Sequence, residues 1–235
     1  MRANTLSLNH KAVSVTAGIG ILCFGSAAAQ PSIQPPHVAR GAIIAAQGVA
    51  GRAPACAQCH AYNGASDGSG AFPRIAGQSA YYLAKELRDY TSGVRTNAIM
   101  APIAKALSAD DTADVAAYYA SVNAPYLPLS SADPTLIRRG KQLAAIGDAA
   151  KELQSCNNCH GPGGAGELPA IPYLAGQYEH YIAFQLTMWQ HGFRNNSPDA
   201  MADIAKRLDA QDIAAVAAYY QQVDASDLAA TQPTK

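Results

Sequence analysis

Cys56-Ala57-Gln58-Cys59-His60 and Cys156-Asn157-Asn158-Cys159-His160 are two copies of one motif, C-x-x-C-H, that lie 100 residues apart. This spacing is typical of covalent haem attachment. On one helical turn, each of the two thiols can add to a haem vinyl group, and the histidine that follows can coordinate the iron. The motif therefore predicts two covalently bound haem c groups, attached through Cys56, Cys59, Cys156 and Cys159, with His60 and His160 as axial ligands.

Two other uses of paired cysteines compete with haem attachment. A redox-active C-x-x-C disulfide is typical of a strand-to-helix junction of the thioredoxin type, and the sequence offers no such junction. A structural zinc site could use the same four cysteines. Zinc would not explain why a histidine follows both cysteine pairs, so haem is the favoured interpretation.

The motif is part of a longer tandem repeat. Ala76-Gly77-Gln78 recurs as Ala175-Gly176-Gln177, and 15 of the 23 residues in 100–122 are identical in 201–223. A repeat of about 100 residues has the size of a domain. Three prolines between the copies are typical of a linker. We predict a first domain at 37–123, a linker at 124–132, a second domain at 133–224 and a C-terminal tail at 225–235.

The N-terminus has the layout of a secretory signal peptide. Arg2 and Lys11 flank a segment without acidic residues, an apolar run follows at 12–24, and small residues precede Gln30. We predict that 1–29 is removed by cleavage after Ala29 and that the protein is exported. An uncleaved anchor helix is the alternative, and Leu22 argues against lipidation of Cys23. No later apolar run has the length needed to span a bilayer.

Composition excludes two classes of protein. Hydrophobic residues make up 49% of the chain and charged residues 14%, which is inconsistent with general disorder. Lys and Arg number 17, as do Asp and Glu, whereas nucleic-acid binders usually have a basic excess. A net charge near zero also predicts weak long-range electrostatic steering of partners.

Each copy is predicted to be helical, without a run of alternating strand residues. The predicted helices span 38–50, 81–91 and a segment after Ser108 in the first copy, and 134–147, 181–190 and a segment after Asp209 in the second. Gly41 and Gly140 occupy equivalent positions inside the first helix of each copy. Glycine there costs about 1 kcal/mol relative to alanine, so we expect close approach of another helix.

The sixth ligand of each iron is predicted to be a methionine. Met100 and Met201 follow the motif histidines by 40 and 41 residues, and each opens the same A-x-I-A-K-x-L run. Met188 has no counterpart in the first copy and is interpreted as a core residue. His180 and His191 are rival ligands, but each occurs in one copy, so we interpret them as surface residues. A thioether ligand favours Fe(II) and raises the reduction potential.

Further repeated residues are candidates for the surroundings of the haem. Pro73 precedes the first Ala-Gly-Gln triplet, and its carbonyl could accept from the proximal histidine. Pro169 and Pro172 both precede the second triplet, and Pro172 is the equivalent of Pro73. Two other equivalent pairs could bond or neutralise haem propionates, with ordinary packing and solvated charge as alternatives: Tyr90 with Trp189, and Arg95 with Arg194.

Taken together, these motifs resemble the dihaem cytochrome c4 family, which is built of two class I cytochrome c domains. The resemblance rests on both C-x-x-C-H motifs, on 73–78 and 99–107, and on the Ala-Ala-Tyr-Tyr helix ends. It implies an all-α fold with two tandem class I cytochrome c domains, in which the terminal helices of each domain cross closely. It also implies a periplasmic electron carrier that feeds a membrane-bound terminal oxidase and associates peripherally with the membrane.

The same resemblance assigns His60, Met100, His160 and Met201 as axial ligands. Filled coordination leaves no place for a substrate, so we expect an electron-transfer protein with redox proteins as donor and acceptor, and not an enzyme. A dihaem peroxidase needs an open iron position, which the two methionines argue against. The cytochrome subunit of a periplasmic dehydrogenase would use the same chemistry, and this alternative stays open. A haem-based sensor would need an output module.

Overall fold

The computed structural model describes residues 35–126 and 133–224, which all belong to one compact unit. The predicted signal peptide, most of the predicted linker and the C-terminal tail lie outside the described residues. The helices of the first half are α1 (Val38–Gln47), α2 (Ala57–His60), α3 (Ala80–Ser92), α4 (Met100–Lys105) and α5 (Ala109–Ser121). Those of the second half are α6 (Pro134–Ala145), α7 (Asn157–His160), α8 (Glu179–Gln190), α9 (Met201–Lys206) and α10 (Ala210–Gln222).

The expected all-α fold is confirmed, and each half repeats the same arrangement. Helix α1 packs against α5, and α5 also packs against α3, which contacts α4. Helix α6 packs against α10 in the same way, and α8 contacts α9 and α10. One detail differs from the prediction. Two strands of two residues each, β1 (Gly147–Asp148) and β2 (Leu153–Gln154), pair antiparallel after α6; they are too short to produce a strand pattern in the sequence.

The close helix crossings are confirmed at both helix-interior glycines. A Cβ on Gly41 would lie 2.0 Å from the carbonyl oxygen of Asp114 in α5, and a Cβ on Gly140 would lie 2.0 Å from that of Ala215 in α10. Both distances are far below van der Waals contact. Glycine is therefore required at these two positions because the helix backbones touch there.

Capping residues explain where the longer helices begin and end. Ser79 accepts from Tyr82 N at the start of α3, and Gly93 ends that helix in the left-handed conformation, with φ 87°. Ser108 and Asp111 form a reciprocal capping box at α5. Asp209 accepts from Asp212 N at α10, at 2.9 Å. The helix starts predicted after Ser108 and Asp209 are confirmed.

Each half has its own hydrophobic core. The first is centred on Ile44, Val115 and Tyr119, and the partly buried Cys56 packs against it. The second contains Leu143 and Tyr220, with Cys156 and Met201 among the partly buried residues at its edge. Among the helices of the described ranges, none combines the length and apolar character that crossing a membrane requires.

Asp111 makes the stability of the first half depend on pH. Its buried carboxylate accepts from Ser108 N at 3.0 Å and from the guanidinium groups of Arg52, at 3.0 Å, and Arg40. Burial alone would raise the pKa of Asp111, but the hydrogen bonds from Ser108 and Arg40 outweigh it and hold the pKa at about 2. Since this folded-state pKa lies below the unfolded value of about 4, the stabilisation is present above about pH 4 and is lost as the pH falls through 2.

We therefore expect Asp111→Asn to weaken the acid dependence of folding. The variant should be less stable than the parent near neutral pH, but should lose less free energy of unfolding between about pH 4 and pH 2. Urea unfolding at a series of pH values measures this difference. Asp110→Asn, an exposed change in the same helical turn, is the control. An acid dependence as steep in Asp111→Asn as in the parent would contradict the assignment.

Candidate functional site

The two C-x-x-C-H motifs form short helices of identical bounds relative to the repeat. Cys56 immediately precedes α2 and Cys156 immediately precedes α7, so each cysteine pair and its histidine share one helical turn. None of the four cysteines within the described residues forms a disulfide. Burial raises the pKa of the Cys56 thiol, and it raises that of Cys156 to about 11.

Each motif histidine is buried and fixed in one tautomer. His60 Nδ1 lies 3.3 Å from the carbonyl oxygen of Pro73, and His160 Nδ1 lies 2.9 Å from that of Pro172. Because a carbonyl oxygen can only accept, Nδ1 carries the proton and Nε2 keeps its lone pair. Burial also lowers the pKa of both imidazoles, against the opposing effect of the proline carbonyls. Both rings are thus neutral, with Nε2 available for a metal.

Tyrosines near the end of the last helix in each half form hydrogen bonds with the C-x-x-C-H motif or with the residues that follow it. The hydroxyl of Tyr118 donates to the carbonyl of Tyr62 at 2.8 Å, and that of Tyr119 to the carbonyl of Ala61 at 3.2 Å. In the second half, the side-chain amide nitrogen of Asn157, inside the motif, donates to the Tyr220 hydroxyl at 2.9 Å. The last helix therefore positions the histidine-bearing turn in both halves.

The two repeated methionines occupy equivalent positions at the start of a short helix. Met100 begins α4 and Met201 begins α9, and both side chains are half-buried. The preceding loops differ in length, and they cap these helices differently: Met100 N donates to Asn97 Oδ1 at 2.8 Å, and Met201 N to Ser197 Oγ at 3.4 Å. Met188 lies within α8 and is half-buried. The rival ligands His180 and His191 are exposed.

Both halves supply a donor set that fits a covalently bound haem c. Each offers two cysteines that form no disulfide, a neutral imidazole with an available Nε2 and a methionine at an equivalent position of the repeat. In addition, the indole Nε1 of Trp189 is buried and has no hydrogen-bond partner in the described part of the chain. A haem propionate would supply the missing acceptor, in agreement with the role considered for Trp189.

The repeated arginines meet where the two halves contact each other. Arg95 and Arg194 form an antiparallel backbone bridge. Arg95 stacks on Tyr90, with its guanidinium carbon 4.5 Å from the ring centre, and Arg194 stacks on Trp189 at 3.9 Å. Arg95 and Arg194 are 5% and 3% exposed. The alternative of solvated surface charges is therefore wrong.

A single carboxylate lies between these two guanidinium groups. Glu86 accepts from Arg95 of its own half and from Arg194 of the other half, the latter at 3.1 Å. Gln185, the equivalent of Glu86, accepts from both arginines at 2.7 and 2.9 Å. Asn196 Nδ2 donates to Glu86 from the longer loop of the second half. Two guanidiniums thus face one carboxylate, which leaves a positive charge that a bound anionic group such as a propionate would neutralise.

Sequence reasoning missed several residues of this contact. Glu86, Gln185, Tyr82 and Tyr181 all lie in the second long helices, and the two tyrosine hydroxyls accept from the arginines of the opposite half at 3.1 and 2.8 Å. Gln78 and Gln177 belong to the repeated triplets, but the sequence alone indicates no role for them. The sequence does contain a signal for the equivalence of these residues. A constant offset of 99 residues pairs Tyr82 with Tyr181 and Arg95 with Arg194.

Comparisons with known families support a two-domain cytochrome. A family model described as cytochrome c matches residues 38–123, and one described as cytochrome c oxidase, cbb3-type, subunit III matches residues 141–219. Cytochrome c4 of Pseudomonas aeruginosa is 39% identical over 187 residues, which cover 78% of this chain and 90% of that protein. A thiosulfate dehydrogenase electron acceptor of Stutzerimonas stutzeri is 38% identical, covering 80% of this chain and 88% of that one.

Similarity to solved structures also supports a two-domain cytochrome. Reduced cytochrome c4 from Pseudomonas stutzeri matches with a TM-score of 0.70 and 31% identity, over 80% of this chain and all of that one. A thiosulfate dehydrogenase from Marichromatium purpuratum matches with a TM-score of 0.73 and 37% identity, over 80% of this chain. The match spans 40% of the length of that longer chain.

Proposed function

Because this chain belongs to the cytochrome c4 family of dihaem electron carriers, we propose that it shuttles electrons in the periplasm toward a membrane-bound terminal oxidase. The chain carries two covalently bound haem c groups and is an electron-transfer protein, not an enzyme. The single observation that supports the proposal best is the repetition of one donor set. A neutral buried histidine, two cysteines without a disulfide and a helix-initial methionine occur at equivalent positions in both halves.

The proposed roles of the residues follow from this donor set. Cys56 and Cys59 hold one haem and Cys156 and Cys159 the other, through thioether bonds. His60 and Met100 would hold the haem iron in the first domain, 37–123. His160 and Met201 would hold it in the second domain, 133–224. When bound, the haem iron supplies a centre that cycles between Fe(II) and Fe(III).

The protein surroundings keep these ligands in place. The carbonyls of Pro73 and Pro172 hold the imidazole rings in the tautomer that leaves Nε2 free. With both the histidine and the methionine bound, the iron would have no position left for a substrate, so each site would exchange electrons without making bonds. Trp189 would supply a hydrogen-bond donor to a haem propionate, and Arg95 and Arg194, stacked on Tyr90 and Trp189, would supply a compensating charge.

The location and the partners are part of the proposal. A leader cleaved after Ala29 would deliver the protein to the periplasm, where c-type haem attachment and redox partners are found together. A near-neutral chain would dock through local patches, with peripheral association at the membrane. Donor and acceptor would both be redox proteins.

A second candidate function is that of an electron acceptor for a periplasmic dehydrogenase. The observation in its favour is the 38% identity to a thiosulfate dehydrogenase electron acceptor over most of both chains. Stopped-flow reduction of the oxidised protein by a thiosulfate dehydrogenase with its substrate, compared with oxidation of the reduced protein by oxidase-containing membranes, distinguishes the two routes.

Absorption spectra of the purified holoprotein test the carrier function itself. We expect two haems per chain in the pyridine haemochrome assay, a near-infrared charge-transfer band of methionine-ligated Fe(III) with the strength of two sites, and no binding of carbon monoxide. A high-spin or carbon-monoxide-reactive haem in the parent protein would contradict the proposed ligation and would favour catalysis or sensing.

A further inference from the structure

The glutamine of each Ala-Gly-Gln triplet reaches into the opposite domain. Gln177 Oε1 accepts from the backbone N–H of Arg74 at 2.9 Å, and Gln177 Nε2 donates to the backbone oxygen of Arg74 at 2.9 Å. Gln78 makes the same pair of contacts with the backbone of Tyr173, both at 3.3 Å. Arg74 and Tyr173 are equivalent in the repeat, so the contacts are reciprocal.

These glutamines bind the peptide groups that hold the motif histidines. The N–H of Arg74 belongs to the same peptide as the carbonyl of Pro73, which accepts from His60 Nδ1. The N–H of Tyr173 belongs to the same peptide as the carbonyl of Pro172, which accepts from His160 Nδ1. In each half, one planar peptide therefore connects a histidine to a glutamine of the other domain.

We propose that Gln177 is a positioning residue for His60 and that Gln78 is a positioning residue for His160, so that each domain tunes the haem of the other. This inference rests on the axial roles proposed above for the two histidines. A peptide whose N–H is hydrogen-bonded is polarised, and its carbonyl becomes a stronger acceptor. A stronger acceptor at Nδ1 makes the imidazole more basic, which stabilises Fe(III) and lowers the reduction potential.

The surroundings of the glutamines favour a fixed connection. Both glutamines are 5% exposed, and the contact of Gln177 with Arg74 is buried, so water does not compete for that peptide N–H. Each Oε1 also accepts from the next residue of its own chain segment, Tyr178 N at 3.2 Å for Gln177 and Ser79 N at 3.1 Å for Gln78. The amides are thereby held in one orientation, and each one contacts both polar groups of the residue it faces.

The hydrogen-bonded connection between Gln177 and His60 differs in its distances from the connection between Gln78 and His160. The Gln177 contact is shorter than the Gln78 contact, whereas the His60 contact with its proline, at 3.3 Å, is longer than that of His160, at 2.9 Å. The shorter contact of Gln177 polarises the peptide that it binds more strongly than the longer contact of Gln78 does. We therefore expect the larger effect from removal of Gln177.

The test compares Gln177→Met with Gln78→Met in the holoprotein. NMR-monitored redox titration, which follows the methyl signals of each haem separately, should show a rise of roughly two- to threefold in the reduction equilibrium constant of the haem on His60 in Gln177→Met. In Gln78→Met, the haem on His160 should shift instead. In the reduced protein, the His Nδ1–H resonance should move upfield in the domain opposite to each substitution.

The crossed pattern separates tuning from loosening of the domain contact. Loosening would affect the two haems alike in both variants, and that result would overturn the proposal, as would a shift confined to the haem of the substituted domain. Thr96→Val removes another hydrogen bond between the domains, from Thr96 Oγ1 to the carbonyl of Phe193 at 2.6 Å, and should leave both Nδ1–H resonances unchanged. If both variants keep two haems and both methionine bands but show no crossed shift, the tuning fails while the proposed electron carrier stands.

Discussion

Gly140→Ala is expected to destabilise the second domain by about 3 kcal/mol or more, because a side chain there meets the backbone of another helix. The new Cβ would lie 2.0 Å from the carbonyl oxygen of Ala215 and 2.6 Å from the Cβ of Tyr219. Neither atom is the end of a flexible side chain, so α6 and α10 would have to separate. Alanine improves helix propensity by about 1 kcal/mol, which is smaller than the cost of separating two packed helices.

Chemical unfolding of the holoprotein, followed by circular dichroism, measures this effect. Lys141→Ala, an exposed change at the next position of the same helix, should change the free energy of unfolding by less than about 0.5 kcal/mol. Gly41→Ala should repeat the loss in the first domain, where the facing atom is the carbonyl oxygen of Asp114. An unchanged or increased stability in Gly140→Ala would show that the helices can move apart at little cost.

Met201→Ala is expected to convert one of the two haems to a high-spin form that binds carbon monoxide. An alanine provides no ligand, and the thioether is the group that favours Fe(II). The methionine charge-transfer band should fall to about half, since one of two sites is lost, and the reduction potential of the second haem should fall. Absorption spectroscopy and a carbon monoxide titration on the same sample measure both changes.

Met188→Leu is the matched control for this substitution. Met188 is half-buried in α8, next to the helix that Met201 begins, and it has no counterpart in the first half. Its replacement by leucine conserves volume and should cost less than about 1.5 kcal/mol, with the full methionine band retained. Loss of the band in Met188→Leu and its retention in Met201→Ala would reverse the assignment of the axial ligand.

The features predicted correctly from the sequence are those that depend on neighbours in the chain or on the repeat. The C-x-x-C-H turns, the helix start at Ser108 and the helix end at Gly93 follow from local chemistry. The close crossings at Gly41 and Gly140 could be expected because glycine is unfavourable inside a helix, yet it occurs at the equivalent helix position in both copies. The hydrogen bond of His160 to Pro172, and not to Pro169, needed the structure, since both prolines precede the triplet.

The contact between the domains could not be predicted because its partners are far apart in sequence. Arg74 and Gln177 are separated by 103 residues, and no local pattern distinguishes a glutamine that binds a distant peptide from a solvated one. Arg95 and Arg194 were correctly singled out as a repeated pair, but their burial depends on the second domain packing against the first. A repeat identifies equivalent residues without indicating that they face each other.

The reciprocal contacts across Arg95 and Arg194 are those of a symmetric dimer, here formed by two halves of one polypeptide. Two separate copies of the first domain would bring a glutamate to both central positions, and two copies of the second would bring a glutamine to both. Because the two halves are joined in one chain, the equivalent positions can carry different residues, and Glu86 and Gln185 both contact the two arginines. The covalent connection thus permits the surroundings of the two haems to differ while the backbone pairing between the domains stays two-fold. An electron can then reside preferentially on one of the two haems.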